Sequence, residues 1–171
     1  MTEPNWNTVV KDVGPALLRY FSASFPNAIA SDLVQETLIR LVRKQRDGDY
    51  DEAKGSLRML AFGIAHFVRL EAFKVTLAVD YFANVAEFEA KAQHLHDNGV
   101  AAERASRLRS AISTLVEVER QIILLHIDEE LTLNEISEIL KMPVGTIKSH
   151  VHRAKEKLKT RLLSERGVQN G

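Results

Sequence analysis

The chain has 171 residues with 23 basic and 23 acidic side chains, so its overall charge neither recommends nor excludes a nucleic-acid partner. It contains no Cys, which excludes disulfides and thiolate metal sites. Hydrophobic residues make up 45% and charged residues 27%, enough apolar surface for one or two small globular domains. No apolar run approaches the roughly 20 residues that cross a bilayer. The first ten residues lack the basic start and apolar stretch of a signal peptide. A cytoplasmic chain without membrane insertion is the expectation.

Eight Gly and four Pro punctuate the chain, and no stretch alternates in the manner of a strand. An all-α fold is expected, with helices over 5–25, 28–45, 56–74, 80–94, 100–114, 116–127, 132–140 and 143–163. The apolar pattern is weakest between Val75 and Val100, around His94-Leu-His-Asp-Asn-Gly99. That stretch reads as a linker over 76–99 between two small helical domains, 1–75 and 100–171.

On the second helix Val34, Leu38, Leu41 and Val42 cluster on one side and are expected to face a core. Asp32, Gln35, Glu36, Arg40 and Arg43 cluster on the other, with Ile39 in their midst. A lone exposed Ile is common. Ringed by acidic and amide groups, it suits the apolar centre of a docking face equally well.

Towards the C-terminus, Thr132 and Glu135 form a capping box at a helix start. Leu133, Ile136 and Leu140 follow on one face. Pro143 stands where a second helix begins, a position at which its missing N–H costs little. Val144, Ile147, Val151, Ala154 and Leu158 then recur at spacings of three and four as one apolar seam. Thr146, Ser149, His152 and Arg153 fall opposite, with Lys148 and Lys155 at the edge. Short polar side chains followed by cations suit a major groove between phosphate walls, so this is read as a DNA-binding helix-turn-helix. Charge sorting favours that reading over a plain helical hairpin. Residues 141–166 hold eight basic and two acidic side chains, whereas 111–140 hold one basic and seven acidic.

No catalytic constellation stands out: there is no Gly-rich phosphate loop, nucleophile elbow or His-Glu pair at metal spacing. His94 and His96, like His150 and His152, are two apart and point away from each other on a helix. No metal site, no cofactor and no enzymatic activity are expected.

Three stretches carry a resemblance. Asp32-Leu-Val-Gln-Glu-Thr-Leu-Ile-Arg-Leu-Val-Arg43 resembles the DLVQETFLRLWR-type helix of extracytoplasmic-function (ECF) sigma factors of the sigma-70 family. Gly55-Ser-Leu-Arg-Met-Leu-Ala-Phe-Gly-Ile-Ala-His66 is similar to their next helix, and residues 115–162 resemble their fourth-region domain. The resemblance implies a dissociable promoter-specificity subunit of bacterial RNA polymerase. Residues 1–75 would correspond to region 2, and 100–171 to region 4. Asp32, Gln35, Glu36, Ile39 and Arg40 would dock the beta-prime subunit, with the beta subunit also contacted. The loop 46–54 and the helix 56–74 would meet and melt the minus-ten element. Thr146, Lys148, Ser149, His152, Arg153 and Lys155 would bind the minus-thirty-five element, and an anti-sigma factor would be a further partner.

The pattern departs at Leu60, where the family usually has Trp, and at His66-Phe67, in place of Arg-Asn. After Arg69 only Lys74 remains of the usual basic cluster. Lys141 stands at a turn position often held by Gly, Ser137 replaces an Ala, and His150 replaces an Arg. These departures leave open an alternative: a sigma-like decoy that occupies an anti-sigma factor without itself initiating transcription. A stand-alone helix-turn-helix repressor is a third reading.

Overall fold

A computed structural model describes residues 4–82, 107, 108 and 110–167, and every regular element among them is helical. The chain divides into two compact units, the first holding helices α1 (Trp6–Ser22), α2 (Asn27–Arg46) and α3 (Leu57–Phe82). The second holds α4 (Glu117–Ile123), most of α5 (Leu133–Leu140) and α6 (Val144–Gly167).

In the first unit α1 starts at Asn5, whose side chain accepts from the Thr8 N–H at 3.4 Å. Val13, Ala16, Leu17, Tyr20 and Phe21 form its buried stripe. On α2 the buried residues are Ala30, Thr37 and Leu41. Val34 and Leu38 are half-buried, while Val42 is 37% exposed and so lies outside the core face expected for it. Thr37 takes the core position because its hydroxyl is satisfied within the helix, donating to the Leu33 carbonyl at 2.7 Å.

The α2–α3 connection turns at Gly48 (φ 79°) and passes a short 3-10 turn, Glu52–Lys54, to Gly55 (φ 147°). The positive φ of Gly55 favours glycine, and a Cβ there would meet Met59 Sδ at 2.8 Å, so the Met59 side chain would also have to shift. Ser56 then accepts from the Met59 N–H at 3.1 Å to start α3. Ala61, Phe62, Ile64, Ala65 and Val68 face the core, and with them Arg69 at 1% exposure. Its guanidinium lies 4.7 Å from the Phe73 ring centroid and 6.0 Å from that of Tyr20, a cation–π setting for a desolvated charge. α3 continues past the expected end at Lys74 as far as Phe82. The rest of the expected linker and of the helix 80–94 lies outside the described residues, as does most of 100–114.

In the second unit Ala111, Leu115 and Ile123 pack with Ala154 and Leu158 of α6 as one core cluster. α4 widens into π-type turns over Leu124–Asp128, and His126 Nδ1 lies 3.0 Å from the Leu131 carbonyl. The capping box forms as expected: Glu135 accepts from the Thr132 N–H at 2.8 Å, and Thr132 Oγ1 accepts from the Glu135 N–H at 3.3 Å. Ile136, Ile139 and Leu140 of α5 are buried. Lys141 adopts the left-handed conformation, φ 54° and ψ 41°, that ends the helix.

Ser137 clasps this turn from both sides. Its carbonyl accepts the Met142 N–H at 3.1 Å, and its hydroxyl donates to the Met142 carbonyl at 2.5 Å. Lys141→Gly is therefore expected to raise stability by about 0.5–1 kcal/mol, removing left-handed strain at some cost in unfolded-state entropy. Ser137→Ala is expected to lower it by about 1 kcal/mol. Urea unfolding followed by far-UV circular dichroism reads both; a Lys141→Gly protein less stable than wild type would contradict the strain.

Candidate functional site

The azimuth of α6 is set by its apolar seam. Ile147, Val151, Ala154 and Leu158 are all buried, and Val144 is half-buried. Helical geometry then turns Thr146, Ser149, His152 and Arg153 outward, with Lys148 and Lys155 along the margins, and all six side chains are exposed. The Ser149 hydroxyl donates to the Gly145 carbonyl at 3.0 Å, which leaves its lone pairs directed outward as acceptors. Arg153 Nη2 lies 3.1 Å from His150 Nδ1, a contact in which the guanidinium donates. His150 thereby steadies the cation one turn further along.

One turn beyond Arg153, α6 carries an internal pair. Lys157 Nζ reaches Glu119 Oε2 on α4 at 2.7 Å, with the Glu119 side chain only 3% exposed. Lys157 thus serves the fold, tying α6 to α4. Glu119 escaped the sequence reading, although a signal existed: it shares a helix face with Leu115, Ile122 and Ile123, where an acid needs a partner. Arg120, next to it, donates to the Ser113 and Leu115 carbonyls at 2.9 and 3.0 Å, holding the chain that enters α4.

In the first unit Asp32, Gln35 and Ile39 point to solvent from α2, Ile39 at 47% exposure. Glu36 and Arg40 are half-buried because they are engaged. Arg40 Nε donates to Glu36 Oε1 at 2.7 Å, and its two terminal nitrogens fork onto Glu71 of α3 at 3.1 and 2.7 Å. The hydrogen bonds from Arg40 hold the Glu71 carboxyl below the usual range, and Glu71 foremost, then Glu36, raises the guanidinium further.

The cations of α3 look inward in large part. Arg69 is buried, and Arg58 lies 3.5 Å from Asp12 of α1. Phe67 and Leu70, by contrast, are 50% and 41% exposed. Among the described residues no group of three His, Asp or Glu side chains is placed to hold a metal ion, and no helix is long and apolar enough to cross a membrane.

Two small helical units, one of them ending in a capped helix-turn-helix with a cationic outer face, define the class of protein. Residues 105–158 match the family "Sigma-70, region 4". Over 66 residues the chain is 39% identical to the ECF RNA polymerase sigma factor SigW of Bacillus subtilis, covering 39% of this chain and 35% of that protein. Over 164 residues it is 27% identical to the ECF RNA polymerase sigma factor SigE of Mycolicibacterium smegmatis, covering 91% of this chain and 61% of the relative. The chain thus spans between about a third and three-fifths of the length of these curated relatives.

Among solved structures it is similar to the sigma factor RpoE of Bartonella quintana, determined in complex with the anti-sigma factor NepR. The TM-score is 0.67 at 24% identity, covering 92% of this chain and 96% of that one. It is also similar to CnrH in complex with the cytosolic domain of CnrY, with a TM-score of 0.65 at 19% identity, covering 93% of this chain and 88% of that one. These two likenesses establish the shared helical fold. Residues 105–158 thus carry the sigma-70 region 4 match, and the chain is similar to ECF sigma factors.

The Arg40–Glu71 pair has a pH signature. Glu71 has a lower pKa folded than the unfolded value of about 4.3, so its stabilisation is full above that value and is lost as acid protonates it. Both side chains are partly exposed, 35% and 56%, which limits the contribution to under about 1 kcal/mol. Wild type and Glu71→Gln are expected to differ in unfolding free energy by that amount near neutral pH and to converge as acid protonates the folded carboxylate. A difference undiminished in acid would contradict the ion pair.

Proposed function

We propose that this chain acts as an ECF-type sigma subunit, bringing bacterial core RNA polymerase to promoter DNA from the cytoplasm. In this reading residues 1–75 are the region 2-like domain, 76–99 the linker and 100–171 the region 4-like domain. The observation that carries it is the outward row Thr146, Ser149, His152 and Arg153, set on a buried seam inside the matched region 4 segment.

The outer face of α6 enters the major groove at the minus-thirty-five element. Thr146 and Ser149 offer short hydrogen-bonding groups to base edges, His152 and Arg153 reach bases or phosphates, and Lys148 and Lys155 meet the phosphate walls. Asp32, Gln35, Glu36 and Ile39 on α2 dock the beta-prime subunit, acidic groups around an apolar centre, with Arg40 beside them. The loop 46–54 and α3 face the minus-ten element. There the energy for melting comes from capturing unstacked bases, at a few kcal/mol per base. The chain makes no bond itself; the polymerase does the chemistry. An anti-sigma factor is the further partner, in keeping with the solved relative bound to NepR.

A second reading is favoured by one observation. With Arg69 in the core and Arg58 directed to Asp12, α3 offers promoter DNA few of the cations that melting calls for. A sigma-like decoy, occupying an anti-sigma factor without initiating transcription, needs none of them. Sigma-free core polymerase mixed with the chain and a promoter library separates the two. Specific transcripts support the sigma subunit; anti-sigma binding with no promoter complex and no transcript supports the decoy.

For the reading helix, Lys148→Ala and Arg153→Ala are expected to weaken DNA binding. The slope of log affinity against log salt should shallow by about 0.9 for each phosphate contact removed. Fluorescence anisotropy on minus-thirty-five duplexes at several salt concentrations measures it. Unchanged slopes in both variants would show that α6 presents another face.

A further inference from the structure

The arginine of the proposed docking set is not directed outward in the manner of its neighbours. Arg40 spans two helices: Nε to Glu36 on its own helix, and Nη1 and Nη2 to both carboxylate oxygens of Glu71 on α3. Its donor edges are thereby occupied by two carboxylates, and the three-residue group carries a net single negative charge. Asp32 and Arg43 stand exposed on the same helix and offset each other, so the face as a whole keeps that negative charge.

From this geometry we infer that Glu71 belongs to the docking surface, as a positioning residue that holds Arg40 as a strut and makes the surface an anionic one shared by α2 and α3. The inference rests on the docking role proposed for α2. It changes what the partner must supply. An exposed Arg40 would seek a carboxylate, whereas the strut screens its charge and leaves Asp32, Glu36 and Glu71 to face cations. The partner surface is therefore expected to present Arg or Lys around an apolar patch that receives Ile39.

Three features make Glu71 more than a stabilising contact. The fork is bidentate, so it fixes the plane of the guanidinium as well as its position. Glu36 is held by the remaining Nε edge, so its carboxylate orientation depends on Arg40 staying in place. Finally, the group bridges α2 to α3, so a partner gripping Glu36 acts on both helices.

Binding of the full chain to sigma-free core polymerase, by competition against a labelled sigma factor, provides the test. The variants are Glu71→Gln, Arg40→Gln, the double variant, Glu71→Asp and Asp32→Ala. Glu71→Gln and Arg40→Gln should each weaken binding about three- to tenfold, and the double variant no further, because the two act as one unit. Glu71→Asp, keeping the charge, should recover part of the loss. Thermal melting of each variant reports the fold, and a purely stabilising role would shift melting without changing affinity.

If Asp32→Ala weakens binding while Glu71→Gln does not, the docking role stands and the strut falls. If the Arg40 and Glu71 losses add, the two are independent contacts and the strut likewise falls. If Asp32→Ala and Glu71→Gln both leave core binding intact, the docking role itself is wrong and the inference falls with it.

Discussion

Burial of the α6 seam is the constraint on which the functional geometry rests. Ala154 and Leu158 lie against Ala111, Leu115 and Ile123, Ile147 and Val151 are buried on the same seam, and that burial leaves one rotation of the helix about its axis. Rotating α6 by half a turn would expose four apolar side chains, at about 0.8 kcal/mol per buried methylene, and turn Ser149 and Arg153 towards the core. The outward cations are thus a consequence of where the apolar residues fall. Glu119 and Lys157 reinforce the same rotation with a contact of 2.7 Å.

The second consequence is electrostatic. Acidic side chains gather on 111–140 and basic ones on 141–166, and the turn that separates them is held by Ser137 and the left-handed Lys141. In the proposed reading α6 lies between phosphate walls, and such a helix gains from having its like charges together, since each neutralised phosphate releases counterions. The first unit shows the complementary solution. Its outward face on α2 sets Asp32 and Glu36 around Ile39, and Arg40 beside them is locked by two carboxylates. One chain can in this way carry faces of opposite sign, as the proposed nucleic-acid and protein partners require, while its total charge remains zero.

Much of this was legible in the residues. The spacing of Ile147, Val151, Ala154 and Leu158, the Thr132–Glu135 box and the isolation of Ile39 are local patterns, and local patterns survive into the fold. What escaped depended on contacts between distant residues. Arg69 counts as a surface cation until Tyr20 and Phe73 are brought around it. Glu71 shows its role only when α3 packs beside α2, and Glu119 only when α6 returns with Lys157. Thr37 displaced Val42 from the buried face because a hydroxyl bonded to its own helix can be buried at little cost. The extension of α3 to Phe82 was hidden by a weakening of the apolar repeat past Lys74, which marks loss of a packing face rather than loss of helix.

The absence of Cys gives direct access to the central claim, because an introduced thiol is the chain's sole site for labelling. A photocrosslinker on Ser149→Cys, on the outward face of α6, can be compared with one on Ser113→Cys, which is exposed ahead of α4. In complexes with core polymerase and a promoter, the account predicts adducts to minus-thirty-five bases from position 149 and none from 113. Crosslinks to DNA from 113 with none from 149 would contradict it.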